Sequence, residues 1–227
     1  VGGPITALQK CVVPVGTQDD GTNVANEYQV AYHLAADCWS GYFAQNNNWN
    51  SGRNNLTYFL MDGWVSASYT SAYTKVIPLW QDIKIKTEKD FPEAYALAQI
   101  LKVSTWHKAT DMFGPIPYKE AGKGLISVPY DSQADVYKCM FEDLTNAIGV
   151  LTNALEHGTT KLLPNADAVY GGNVKKWIVY ANSLMLRLAM RVYYADEAMS
   201  KKYVLQAVNN PYGVMQSKDD EAKMEKG

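Results

Sequence analysis

Few residues of this chain are spaced for covalent or metal chemistry. His33, His107 and His157 are isolated, with no pair at the separation that lets two imidazoles meet one ion. Cys11, Cys38 and Cys139 form an odd set without a C-x-x-C, so neither a zinc site nor a redox pair is indicated; inside apolar patterns such thiols behave as small hydrophobes. The run Asp19-Asp20-Gly21-Thr22-Asn23 is rich in oxygen, but lacks the downstream glutamate of a calcium loop and reads as a helix-capping turn. No phosphate-cradling glycine loop and no nucleophile elbow occurs. Asp37, Asp62, Glu93 and Asp111 could be nominated as a glycosidase pair, yet spacing says nothing about carboxylates on distant segments. No catalytic residue, metal or cofactor is expected.

The aromatic residues carry a different chemistry. Trp80, Trp106 and Trp177 lie within helical patterns and are expected in the core. Trp49, Tyr58 and Trp64 instead punctuate an asparagine-rich stretch from Gln45 to about Asp62. Flat rings beside amides and a guanidinium suit a neutral, polyhydroxylated ligand: ring faces stack on C–H groups while amides and Arg53 bond hydroxyls. Trp49, Arg53, Asn54 and Trp64 are the expected ligand contacts. The competing reading is that these aromatics pin a long loop onto the helices.

The elements that must hold this stretch are helical. A helix is expected over Asn23–Ala44, from Tyr28, Tyr32, Ala35 and Trp39, and a second over Ala67–Lys86, kinked at Pro78. Asp90-Phe91-Pro92-Glu93 reads as an aspartate cap opening a helix that carries Ala94, Ala98, Leu101 and Thr105 on one face and stops at Phe113-Gly114. Ser132 caps a helix to about Leu155, whose stripe Val136, Met140, Leu144, Ala147, Leu151 is amphipathic. Asn173–Tyr194 is apolar on almost every face and is expected to be central; Glu197–Val208 follows, stopped by Asn209-Asn210-Pro211. No long alternating strand pattern appears. The fold class is all-α, with helices paired in a repeat-like order.

Composition bounds the function. With 227 residues, 47% hydrophobic and a net charge of −2, the chain can build a sizeable core, and a basic surface for nucleic acid is not indicated. No apolar run reaches the length of a membrane helix, and the first residues do not read as a signal peptide.

Three segments resemble blocks of the SusD/RagB-like outer-membrane lipoproteins, in their SusD-like-2 branch. They are Thr110-Asp111-Met112-Phe113-Gly114-Pro115-Ile116-Pro117-Tyr118; Tyr130-Asp131-Ser132-Gln133-Ala134-Asp135-Val136-Tyr137; and Trp177 through Arg191, with its Ala181-Asn182-Ser183-Leu184 and Leu186-Arg187-Leu188-Ala189. The resemblance covers about residues 20–210. It implies a tetratricopeptide-like helical scaffold with long loops, and non-catalytic capture of oligosaccharides on the outer face of the Gram-negative outer membrane. It also implies a SusC-like TonB-dependent transporter as partner. Membrane contact would come only through a lipid anchor that this chain lacks, since Cys11 follows Leu8-Gln9-Lys10 rather than small apolar residues. Residues 1–227 are expected to be one SusD-like domain, shortened at its C-terminal end relative to the family. Within the blocks, Arg187 and Arg191 are expected as buried scaffold residues, and Asp111 and Gly114 as turn and cap. The alternative function is a helical-repeat module for a protein or peptide partner, with no glycan ligand.

Overall fold

A computed structural model of the chain describes residues 1–13, 29–34 and 36–224. Among the described residues seven α-helices carry the fold: α1 (Gly2–Val12), α2 (Asp62–Ser71), α3 (Ile77–Thr87), α4 (Pro92–Phe113), α5 (Gln133–Glu156), α6 (Val174–Arg191) and α7 (Glu197–Val208). No strand occurs among the described residues, only the isolated bridges Ile116 with Asp131 and Lys161 with Asn173. The all-α reading holds.

Side-chain pairs give the directions of the helices. Tyr69 meets Phe113, Tyr73 meets Trp106 and Trp80 meets Tyr95, so α2–α3 runs antiparallel to α4. Tyr137 bonds Asp111, and Asp143 bonds Gln99, so α4 and α5 are antiparallel. Arg191 pairs with Asp111 while Tyr180 bonds Ser104, and Tyr203 stacks on Phe141 while Gln206 bonds Thr145. Hence α6 repeats the direction of α4, and α7 that of α5. This is the order of stacked helical hairpins.

One hydrophobic cluster runs through these layers from Ile5 to Met224. Trp80, Trp106 and Trp177 are all buried in it, as the sequence predicts. The enclosed central helix is α4, in which nearly every residue from Ala94 to Thr110 is buried. The expectation for α6 is corrected: it buries Trp177, Ile178, Ala181, Leu184, Met185 and Leu188 but exposes Arg187, Met190 and Arg191. Its last turns carry Arg191 toward Asp111 at the end of α4 and Arg187 into an open polar cleft beside Lys108.

Local chemistry explains the boundaries. Ser132 and Asn173 cap α5 and α6 by accepting from Asp135 N and Lys176 N, and Asp196 caps α7 by accepting from Met199 N. At α4 the expected aspartate cap is absent: Phe91 is the cap residue and makes no side-chain cap bond. Its ring packs on the core instead, and Pro92 needs no N–H partner in the first turn. Gly114, at φ 73°, ends α4, with its N–H on Thr110 O at 2.8 Å. The second helix begins at Asp62, five residues before the expected start. Its interruption is a π-helical turn over Ala72–Val76, one turn before Pro78, which sits in the first turn of α3. The expected Asn23–Ala44 helix is also corrected. Asn23–Tyr28 and Ala35 lie outside the described residues; the rest is a π-helical turn, Gln29–Leu34, and a 3₁₀ turn, Asp37–Ser40. Ser40 Oγ donates to Asp37 O at 2.6 Å and Gly41 follows at φ 77°, so a side chain competes for the helix carbonyl and glycine takes the left-handed exit.

Two polar hubs, one half-buried at Asp143 and one buried at Asp167, fix the layers. Asp143 accepts from Gln99 Nε2 at 2.9 Å and Tyr118 OH at 2.6 Å, and pairs with Lys102 at 2.8 Å. Asp167 accepts from Gln9 Nε2, Val169 N, Tyr170 N, Gly172 N and Trp177 Nε1, tying α1 to α6 through the loop between α5 and α6.

Candidate ligand-binding surface

The segment from Gly41 to Met61 crosses from the 3₁₀ turn to α2, and buried asparagines give it one shape. Asn54 is fully buried. Its Nδ2 donates to Gln45 Oε1 at 2.8 Å and Trp49 O at 3.2 Å, and its Oδ1 accepts from Leu56 N at 3.0 Å. Asn55, also buried, donates from Nδ2 to Leu34 O at 2.7 Å and accepts from Met61 N at 2.9 Å. Thr57 closes a capping box on Asn54. The backbone is held in the left-handed region at Asn50 (φ 47°), Ser51 (φ 54°) and Tyr58 (φ 57°). Non-glycine residues occupy that region only where surrounding contacts over-determine them.

Pinned from below, the segment presents aromatic rings to solvent. Tyr42 is 89% exposed and Tyr58 75% exposed, with Phe43 and Phe59 about half exposed beside them. Trp39 supports Tyr58 at a ring separation of 5.6 Å, and His33 supports Phe43 at 5.8 Å. Between Trp39 and Met61 the only charged side chain is Arg53, while six asparagines are present. Several exposed rings and amides with a single charge on one short segment make it the candidate contact surface.

Three of the four expected contact residues lie in this region, and Trp64 lies just beyond it in α2. Arg53 is exposed and Trp49 and Trp64 are half-buried. Trp49 walls a small pocket with Leu34, Cys38, Phe43, Ala44 and Leu56. Trp64 stands in the first turn of α2, its N–H on Met61 O. Asn54 faces inward, and both its amide hydrogens are engaged within the loop. Sequence reading missed Tyr42, Phe43 and Phe59 as surface rings. The signal was present in Gly41-Tyr42-Phe43, where a glycine ends the helical stretch and two aromatics follow.

A second, polar cleft of about 440 Å³ adjoins this surface through His33 and Asp37, and is lined further by Lys108, Asp111 and Arg187. Of the four nominated carboxylates it unites Asp37 and Asp111. Each is already engaged: Asp37 with His33 at 2.7 Å, Asp111 with Arg191 at 2.6 Å and Tyr137 at 2.5 Å. Burial raises the Asp111 pKa against the lowering effect of Tyr137 and Arg191. Glu93 and Asp111 lie 18 residues apart on α4, roughly 27 Å at helical rise, well beyond the ~5–9.5 Å of a glycosidase pair. Asp111 is thus a tertiary partner inside the last turn of α4, not a cap, and Arg191, about half exposed, is not buried. Burial lowers the Lys108 pKa to about 8, with Arg187 adding to it, and lowers the His107 pKa to about 3.

Among the described residues no cluster of His, Cys, Asp and Glu could hold a metal, and no helix is long and apolar enough to cross a membrane. No disulfide joins Cys11, Cys38 and Cys139. The Asp19–Asn23 run lies outside the described residues.

No curated protein matches the chain. Among solved structures it is similar to a chitin-binding SusD homolog from Flavobacterium johnsoniae, at 34% identity and a TM-score of 0.88, over 98% of this chain and 45% of that one. A SusD homolog from Bacteroides uniformis matches at 33% identity and 0.80, over 97% and 44%. One from Bacteroides vulgatus matches at 29% and 0.84, over 97% and 44%. The chain therefore spans less than half the length of these relatives, and the helical order derived above is their tetratricopeptide-like scaffold. The model of the SusD-like family, the SusD and RagB outer membrane lipoproteins, matches residues 1–227, and the chain belongs to that family.

Proposed function

We propose that the chain captures oligosaccharide nutrients non-catalytically on the Gly41–Met61 segment and the adjoining first turn of α2. The observation that carries this reading is a set of exposed rings on a loop whose backbone is pinned by the buried amides of Asn54 and Asn55. Rings held in place before binding lose little freedom on stacking against a sugar, so the ordering cost of association is small. Trp49 and Trp64 supply stacking faces and Arg53 bonds hydroxyls. Asn54 acts one step removed, by holding the loop that displays them. The SusD-like family and the chitin-binding relative from Flavobacterium johnsoniae support glycan capture.

The same family membership supports a lipid-anchored place at the outer face of the outer membrane, beside a SusC-like TonB-dependent transporter. In that setting the helical repeat acts as the docking scaffold and the loop as the receptor. Affinity electrophoresis through gels containing a panel of polysaccharides tests the reading. Retardation by a glycan supports it, and Trp49→Ala or Trp64→Ala should reduce that binding by about 1–3 kcal/mol, the usual effect of truncating a contact aromatic, while leaving the thermal unfolding midpoint near that of the parent chain. Unchanged retardation in both variants would remove the two tryptophans from the site.

A further inference from the structure

We propose that the pocket between the end of α1, α4 and α6 is a second binding site, separate from the ring surface, which takes a small 2-hydroxy carboxylate with a short apolar tail. The pocket holds about 270 Å³, just below the ~300–1,000 Å³ of pockets for drug-sized ligands, so it suits one small molecule. Lys108 and Arg187 line it, and no Asp or Glu does. Arg187 is exposed, and no carboxylate of the described residues pairs with it. Lys108 Nζ lies 4.1 Å from the centre of the Tyr32 ring, and its pKa is lowered to about 8 by burial and then by Arg187. Two like charges thus share one pocket, and an anion placed there is attracted by both.

His107 supplies the second half of the recognition. It is 3% exposed and lines the same pocket. Its Nδ1 donates to Val103 O at 3.0 Å, and its Nε2 has no partner. Burial keeps the ring neutral, so with the hydrogen on Nδ1 the Nε2 is a buried acceptor that lacks a donor. The hydroxyls of the pocket are already engaged: Ser104 with Tyr180 at 2.7 Å, and Ser183 with Val179 O at 2.7 Å and Met215 N at 2.8 Å. Val12, Val13, Leu184 and Met215 make the rest of the lining largely apolar. The lining therefore asks for one anion, one neutral donor and one short alkyl group, and a 2-hydroxy acid carries all three around a single carbon. A plain carboxylic acid leaves Nε2 unmet. A free amino acid brings an ammonium against Lys108 and Arg187 with no counter-charge. A neutral sugar supplies no anion, which separates this site from the glycan surface.

The test is calorimetric titration of the 227-residue chain with both enantiomers of 2-hydroxy-3-methylbutanoate, and with 3-methylbutanoate, valine and N-acetylvaline. One hydroxy acid enantiomer should bind about tenfold more tightly than 3-methylbutanoate, from one hydrogen bond to an otherwise unmet buried acceptor, and valine should bind more weakly than either. Arg187→Gln should weaken the hydroxy acid several-fold. His107→Leu should bring it down to the level of 3-methylbutanoate while leaving 3-methylbutanoate itself unchanged, a pattern that a misfolded variant would not give. Thermal unfolding checks both variants, and if His107→Leu does not fold, the ligand series and Arg187→Gln decide. No binding of either enantiomer, equal affinity for the acids with and without the hydroxyl, or indifference to Arg187→Gln overturns the proposal. A folded His107→Leu variant that keeps the preference overturns it too. N-acetylvaline bound as tightly as the hydroxy acid also overturns it, and makes the pocket a seat for peptide C-termini. None of these results bears on the glycan surface, which the polysaccharide gels test separately.

Discussion

Lys102 lies between the rings of Trp80 and Tyr118, at 4.4 and 4.5 Å, with Asp143 as its counter-charge. Its burial lowers its pKa, so the ammonium depends on Asp143. Removing the carboxylate by Asp143→Ala strands that charge and also frees Tyr118 OH and Gln99, and should cost about 3–5 kcal/mol. Lys102→Met should cost less, since Asp143 is partly exposed and keeps two donors; urea unfolding of the two variants gives the comparison. His107 gives a pH signature. Its Nδ1 bonds Val103 O at 3.0 Å and its Nε2 has no partner; burial lowers its pKa from 6.5 to about 3. Between those values the unfolded chain binds a proton that the folded chain does not. The histidine's contribution is therefore fully present above pH 6.5 and lost as pH falls, by up to about 1.4 kcal/mol per pH unit. Asp111, whose folded pKa is raised, acts in the opposite sense. The difference between the parent chain and His107→Gln isolates the histidine: urea midpoints from pH 7 to 4.5 should fall less steeply in the variant.

At the scale of elements, legibility followed how local the cause was. The start of α5 at Ser132 and both ends of α7 were readable because a cap side chain and a stop signal sit beside the helix they bound. The π-helical turn at Ala72–Val76 was not, since it is a shift of backbone bonds that leaves the apolar spacing almost unchanged; Tyr73 on that turn donates to Pro117 O at 2.6 Å, a contact 44 residues away in the chain. Within the surface, the composition of Gln45–Asp62 revealed a loop bearing aromatics, but not which way they point. Asn54 is expected as a ligand contact because an amide can bond sugar hydroxyls, yet it anchors the loop by bonds to Gln45 and Trp49. Asn54→Ala should therefore weaken glycan binding indirectly. The α5–α6 loop offers a separate test. Gly172, at φ 83°, would place a Cβ 2.7 Å from Leu162 O and 3.0 Å from Pro164 Cα, and its N–H bonds Asp167 Oδ2. Gly172→Ala should cost about 1–3 kcal/mol from backbone strain and loosen α1, measurable as faster amide exchange at Leu8 and Gln9.

For the molecule as a whole, the motif blocks around Gly114, Ser132 and Ala181 located the family because they mark helix ends and packing positions shared by the scaffold. The proposed ligand surface lies outside those blocks, between Gly41 and Met61, where the backbone is fixed by side-chain amides rather than by periodicity. That division explains why the fold class and most helices were readable, while the Asn23–Ala44 stretch, the cap of α4 and the directions of the loop side chains were not. The most direct measurement is affinity electrophoresis of the 227-residue chain against a polysaccharide panel, run beside Trp49→Ala. Retardation by at least one glycan, diminished in the variant at an unchanged unfolding midpoint, is the expected result. Migration indifferent to every polysaccharide would rule out glycan capture by this chain and leave its helical repeat as a scaffold for a protein or peptide partner.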